Sequence, residues 1–263
     1  MKLSMMTYTM ARQGYGVEDF INTAVEQKMD GIDWVTTYGC NPNELKKKCN
    51  DVGLPIVCHT FFLSKLLKDE KNWLDEAKHS IENAVVLGAP VVMIPTCNRN
   101  DMERDDFRRF WISALKQVAP LTDDAKLILT IENFPGNKSA FIIADDYFEA
   151  KAEIPQLKLT YDNGNAAGGE NPVESFKKCA ADVVHVHFKD WNIKNEPTKG
   201  FQQMLDGRYF KSALIGEGDI DTPACFNALR DYGYDGYINL EYEGNKYDGP
   251  ESVRRMVKYL RSL

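Results

Sequence analysis

The chain has 263 residues, of which 43% are apolar and 27% charged, with a formal net charge of −7. That length supports one large core. An acidic balance (pI about 5.3) argues against the basic face that a nucleic-acid partner requires. No apolar run reaches membrane-spanning length, and the opening MKLSMMTYTM lacks the length and cleavage pattern of a signal peptide. Six cysteines without CxxC spacing suggest neither a zinc knuckle nor a disulfide framework, and reduced thiols in a cytoplasmic protein are the simplest expectation.

Strand-like and helix-like segments alternate from end to end. The run at 2–8 predicts the first strand, and Val17 to Met29, with Phe20, Ile21, Ala24 and Val25 at helical spacing, predicts the first helix. Strands follow at 31–36, 55–62, 90–96, 126–132, 157–162, 183–188 and 236–242, and helices at 42–52, 73–87, 103–119, 140–152, 171–180, 222–232 and 250–262. Pro42, Pro172, Pro223 and Pro250 fall in first turns, where a missing N–H costs nothing, and Asn41, Asn171 and Asp221 or Thr222 stand as caps. Eight strand–helix units without a linker or composition break predict one α/β domain over 1–263, a closed (β/α)8 TIM barrel with a parallel eight-stranded core. A doubly wound open sheet is the alternative, but Thr7-Tyr8-Thr9-Met10 lacks the glycine fingerprint that normally follows its first strand. The longest irregular stretch, Trp191 to Gly218, is expected to act as a lid.

Four ionisable residues stand near the ends of four separate apolar runs: Glu132 in LILTIEN, Asp162 in LKLTYDN, His187 in VVHVHFKD and Glu241 in GYINLEYEG. A charge in a buried parallel strand is expensive unless something compensates it. Strand alternation turns Leu129, Ile131, Leu159, Tyr161, Val184, Val186, Ile238 and Leu240 toward the helices. It turns Glu132, Asp162, His185, His187, Lys189, Glu241 and Glu243 into the barrel, at the carboxyl ends where barrel active sites lie. Singly, each has a bland reading: a solvated strand-end glutamate, a satisfied core histidine such as His185, or, for Asp162 before Asn163-Gly164, a turn residue. Four with one parity favour a shared divalent cation, Mn²⁺, Mg²⁺ or similar, held by three carboxylates and an imidazole.

With TIEN, YDNGN, HVHFKD, GEGDID and GYDGYINLEYEG around these residues, the chain resembles the xylose-isomerase-like TIM barrel superfamily of sugar phosphate isomerases and epimerases. The resemblance implies one divalent metal ion, with Mn expected and Mg, Co or Zn as alternatives, held by Glu132, Asp162, His187 and Glu241. It implies that Glu132 and Glu241 double as catalytic acid and base, and that His59, in Cys58-His59-Thr60, faces substrate. Asn165 stands where many relatives carry histidine, a departure that leaves only an amide to hydrogen-bond a sugar hydroxyl. Proton removal beside a carbonyl creates an enediolate whose charge a metal would stabilise. Delivery to the opposite face of the same carbon gives epimerisation; return to the adjacent carbon gives aldose–ketose isomerisation.

Lys189 and His185, on the inward stripe, are expected to contact substrate, with a salt bridge to Asp190 as the alternative for Lys189. Trp34, Phe61, Phe62 and Trp191 offer apolar walls for a sugar, although core packing is the commoner role of such rings. Gly216-Glu217-Gly218-Asp219 is read as a lid anchor, since two carboxylates there would repel phosphate. This favours an unphosphorylated sugar or polyol, against which Arg208, Arg99 and Lys211 remain as phosphate partners. The expected protein is a metal-dependent sugar isomerase or epimerase acting on a small molecule, without nucleic-acid or membrane partners, and with homo-oligomer contacts open to the C-terminal helix. Its rivals are a lyase on the same scaffold (a keto-inositol dehydratase or a carbon-glycoside-cleaving subunit), an apurinic-endonuclease-like metal hydrolase, and a non-catalytic partner barrel. The hydrolase normally needs more histidines than His59, His79, His185 and His187.

Overall fold

In the computed structural model, which describes residues 1–99 and 101–263, all eight apolar runs become strands. Seven come in succession: β1 (Lys2–Met6), β2 (Gly31–Val35), β3 (Ile56–Thr60), β4 (Val91–Ile94), β5 (Ile128–Glu132), β6 (Lys158–Asp162) and β7 (Val183–Phe188). Next in sequence, β8 (Asp190–Lys194), β9 (Gln202–Gln203) and β10 (Tyr209–Ala213) form a separate antiparallel sheet, and β11 (Tyr237–Leu240) returns to the barrel. The closed order is β1-β11-β7-β6-β5-β4-β3-β2, with every neighbouring pair parallel. The molecule is a (β/α)8 TIM barrel.

The punctuation is local. Asn41, Asn171 and Asp221 each accept a backbone N–H from the first turn of the helix they precede, and each of those helices carries proline at its start. Asp248 does the same before Gly249–Leu260. Two expectations need correction. The first strand ends at Met6 because the Thr7 hydroxyl accepts the Val35 N–H and donates to the Asp33 carbonyl, turning the chain into the short helix Tyr8–Ala11. The fourth long helix continues through Pro120 to Asp124, held by buried Phe107, Trp111, Leu115 and Val118 on its inner face.

The segment expected to be irregular after β7 carries the small β8-β10-β9 sheet, with Trp191 opposite Ser212. Asp190 is what folds it over. Its carboxylate accepts N–H groups from Trp191 (2.8 Å), Gly216 (2.9 Å), Gly218 (3.0 Å) and Ile220 (3.1 Å). A side chain at Gly218 would collide with that carboxylate, which is why glycine stands in Gly-Glu-Gly-Asp.

The main apolar core lies between barrel and helices. Inside the barrel, Met6, Val35, Val57, Cys58, Val91 and Met93 fill the β1–β4 side with apolar groups. The opposite side, built by β5, β6, β7 and β11, is polar. Among the described residues, no helix is long and apolar enough to cross a membrane.

Candidate metal centre

The parity argument places its residues together. Glu132 and Asp162 end β5 and β6, His187 is the penultimate residue of β7, and Glu241 follows β11. One ligand atom from each lies within 4.8 Å of all the others. His187 Nδ1 is 2.9 Å from Glu132 Oε1 and 3.5 Å from Glu241 Oε2. All four side chains are buried. Asp162 does both things its sequence context allowed: Oδ1 caps the short helix Asn163–Ala166 by accepting the Asn165 N–H, and Oδ2 has no partner. Glu241 Oε2 is likewise enclosed and unpartnered. Buried carboxylate oxygens without donors are costly, and their convergence suits a hard cation with oxygen and imidazole ligands.

Lys189 sits among these acids, 3% exposed, with Nζ at 2.9 Å from Glu241 Oε1 and 3.3 Å from Glu243 Oε2. Burial pushes the Glu241 carboxyl up, but the Lys189 ammonium and His187 outweigh it and hold the group at about 2. The same burial works against charge on Lys189, yet Glu241 and Glu243 keep it protonated well above its ordinary range. Asp162 goes the other way: burial, reinforced by Glu132 and Glu241 against the pull of Lys189, drives its carboxyl well above normal. One ammonium therefore does not satisfy the cluster. A divalent cation would supply the missing charge.

Beneath the ligands lies a closed polar layer. Thr130 and Thr160 share a hydroxyl bond of 2.7 Å, and Asp33 accepts from Thr60 Oγ1 and Asn239 Nδ2, both at 3.0 Å. His185 belongs to this layer, with Nε2 3.6 Å from Asp33 Oδ2, and burial holds its pKa below the ordinary value. A cleft of about 780 Å³ opens beside Glu243, lined by Tyr8, Arg12, Trp191 and Lys211 among others, and none of the four cluster residues lines it.

Several expected contacts are placed elsewhere. The alternation that turns Cys58 and Thr60 inward turns His59 to the outer layer, where Nδ1 meets the Trp34 carbonyl at 3.0 Å and the ring lies against Phe61. Trp34 is fully buried beside Phe20, and Phe61 is also core. Arg208 is tied to Asp206 and the Ala167 carbonyl, lines a different groove, and stacks over Phe210. Arg99 is committed to Asp69 and Asp101. The alternative pairing of Lys189 with Asp190 is replaced by the Glu241 and Glu243 contacts, because Asp190 is occupied with the loop. Asn165 is fully buried with both amide atoms unpartnered, and Trp191, 4% exposed, reaches the cleft wall with its ring 5.4 Å from Lys189 Nζ. Two groups escaped the sequence reading. Glu243 shares the inward stripe of Glu241, and Asp33, a lone charge inside GIDWV, alternates with Ile32 and Trp34 and so points inward.

In (β/α)8 barrel enzymes the active site lies at the carboxyl ends of the strands, and the buried acid–histidine cluster stands at that face. Residues 19–263 match the xylose isomerase-like TIM barrel family, and the chain belongs to it. At the sequence level, it is 33% identical over 92 residues to the inosose dehydratase of Clostridium botulinum, a stretch covering 32% of this chain and 30% of that enzyme. The chain spans less than two thirds of the length of the relatives it matches in this way. Among solved structures, the 3-keto-D-glucoside 4-epimerase of E. coli superposes over 100% of both chains with a TM-score of 0.77 at 16% identity. The IolI protein with a zinc atom superposes with a TM-score of 0.79 at 15% identity, covering 100% of this chain and 97% of that one. At such identities these structures share the fold.

Proposed function

We propose that the protein is a divalent-metal-dependent sugar isomerase or epimerase that removes a proton next to a carbonyl. The observation that carries this reading is the convergence of Glu132, Asp162, His187 and Glu241, with Asp162 Oδ2 and Glu241 Oε2 left without donors. A cation bound there, Mn²⁺ for choice, would supply the positive charge against which an enediolate is stabilised.

The chain's own residues divide the remaining work unequally. Among the described residues, Glu132 has only His187 as a charged group at hydrogen-bond distance and is the better placed base. Glu241 is held ionised by Lys189 and is the weaker base. On the opposite face of the substrate carbon, delivery of a proton falls to the Lys189–Glu241 pair. Asn165 and Trp191 offer, respectively, an amide for a hydroxyl and a wall for the carbon skeleton. The cleft beside Glu243 has room for a sugar or polyol.

The second reading is elimination from the same carbanion, supported by the sequence similarity to an inosose dehydratase. One experiment separates the two. Purified protein supplied with Mn²⁺ is incubated in D₂O with a panel of ketoses and keto-inositols. Deuterium uptake with an isomeric product supports isomerisation or epimerisation. Loss of water supports the lyase. Absence of exchange across the panel, from protein shown to contain metal, would count against both.

A further inference from the structure

Asp33 is fully enclosed beneath the ligand cluster, on the side of the barrel otherwise filled by Met6, Val35, Cys58 and Met93. A carboxylate so placed needs compensation. Thr60 and Asn239 each give it one hydrogen bond. Its Oδ2 also faces two ring nitrogens, Nε2 of His185 at 3.6 Å and Nε2 of His187 at 3.7 Å. Both nitrogens are enclosed, and neither has a hydrogen-bond partner. An imidazole N–H left without an acceptor in such a place is costly, and Asp33 is the acceptor they face.

His187 is the ring common to both levels. Its Nδ1 looks up at Glu132 and Glu241, and its Nε2 looks down at Asp33. An imidazole that presents the Nδ1 lone pair to a cation must carry its proton on Nε2. We infer that Asp33 is a positioning residue: once a cation takes the Nδ1 lone pair, the Nε2–H of His187 closes its 3.7 Å separation from Asp33 Oδ2 into a hydrogen bond, which fixes the tautomer and ring orientation that offer Nδ1 upward. Thr60 and Asn239 hold the carboxylate in register, and His185 shares it. The same contact compensates the Asp33 charge, through the imidazole, with that of the cation. This inference rests on the metal-site reading above. Its competitor is that Asp33, His185 and His187 themselves ligate a cation, since their ligand atoms also fall within 4.8 Å of one another.

Zinc, which is diamagnetic, tests it. Chelator-treated protein and its Asp33→Asn variant are titrated with Zn²⁺ against a chromophoric competitor, and ¹⁵N–¹H long-range spectra are recorded on the zinc-loaded parent. The parent is expected to bind one zinc, with His187 coordinated through Nδ1 and protonated at Nε2. The variant is expected to keep that stoichiometry and bind about 10–100-fold more weakly, the usual loss when the carboxylate behind a ligating imidazole is removed. Equal affinity in the variant overturns the inference. So does Nε2 coordination in the parent, or a second zinc that disappears with Asp33. Where Asp33→Asn does not fold, the spectrum of the unmodified protein decides alone. A parent that takes up no zinc, manganese or magnesium overturns the metal-site reading itself, and this inference with it.

Discussion

Replacing Lys189 with Met tests the electrostatics of the centre most directly. The side chain is 3% exposed and its ammonium lies 2.9 Å from Glu241 and 3.3 Å from Glu243. Methionine keeps the approximate length and volume but removes the charge. Glu241, held at about 2 by Lys189 and His187 against the effect of burial, must then stay ionised without its strongest partner or take up a proton. Removing one member of a buried ion pair costs about 3–5 kcal/mol. For a chain of this size each kcal/mol lowers the melting temperature by about 2–4 °C, so the metal-free variant should melt about 6–20 °C below the parent. Saturating Mn²⁺ should recover much of that loss, because the cation replaces the missing positive charge next to the same carboxylates. Circular-dichroism melts of both proteins, with and without Mn²⁺, read this out. A metal-free variant that melts within about 2 °C of the parent would show that the Lys189 contacts do not hold the acids together.

Glu132→Gln should lower turnover by about 10²–10⁴-fold on any substrate that exchanges, the range expected for loss of a positioned base; turnover near that of the parent would remove Glu132 from the role. Asp162→Ala should weaken metal affinity by more than the roughly 10–100-fold typical of losing an outer partner, and elemental analysis should find the purified variant depleted of metal relative to the parent. Burial and acidic neighbours raise the Asp162 carboxyl above its ordinary value, so over the pH range in which it takes up a proton the cation must expel that proton and affinity should climb with pH, by up to about tenfold per unit for one proton. Calorimetry in buffers of different ionisation enthalpy detects that release, and uptake without proton release would contradict the raised Asp162. Asp190→Ala removes the acceptor of four backbone N–H groups, and amide exchange over 214–220 should accelerate by at least about tenfold while the barrel strands stay protected. Unchanged exchange there would mean the loop is held by other contacts.

Much of the barrel could be read because its signals are local. Apolar runs, first-turn prolines and the caps at Asn41, Asn171 and Asp221 depend on neighbours a few residues away. Alternation along β5, β6, β7 and β11 likewise carried Glu132, Asp162, His187 and Glu241 to one mouth. The same rule, applied to β2, would have found Asp33 between the outward Ile32 and Trp34. Applied to β3, it would have sent His59 away from the interior, where a motif resemblance had placed it. The sheet made by β8, β9 and β10 was hidden for a different reason. Its strands, Asp190–Lys194, Gln202–Gln203 and Tyr209–Ala213, are short and largely polar, and their pairing is fixed by an aspartate clasping backbone across 30 residues of sequence.

The unequal roles of the two glutamates needed a spatial fact as well. Lys189 follows His187 by two residues and Glu241 follows Asn239 by two, and β7 and β11 are adjacent with His187 opposite Asn239. Carrying that register two residues further sets Lys189 beside Glu241, both pointing inward, whereas Asp190 has the opposite parity and is drawn into the loop. Sequence alone offered Asp190, the covalent neighbour, as the alternative to a substrate contact for Lys189. Strand alternation forbids that pairing, since consecutive side chains leave a strand on opposite faces. The centre's asymmetry, with one glutamate restrained by an ammonium and the other touching only an imidazole, follows from the order in which the barrel closes.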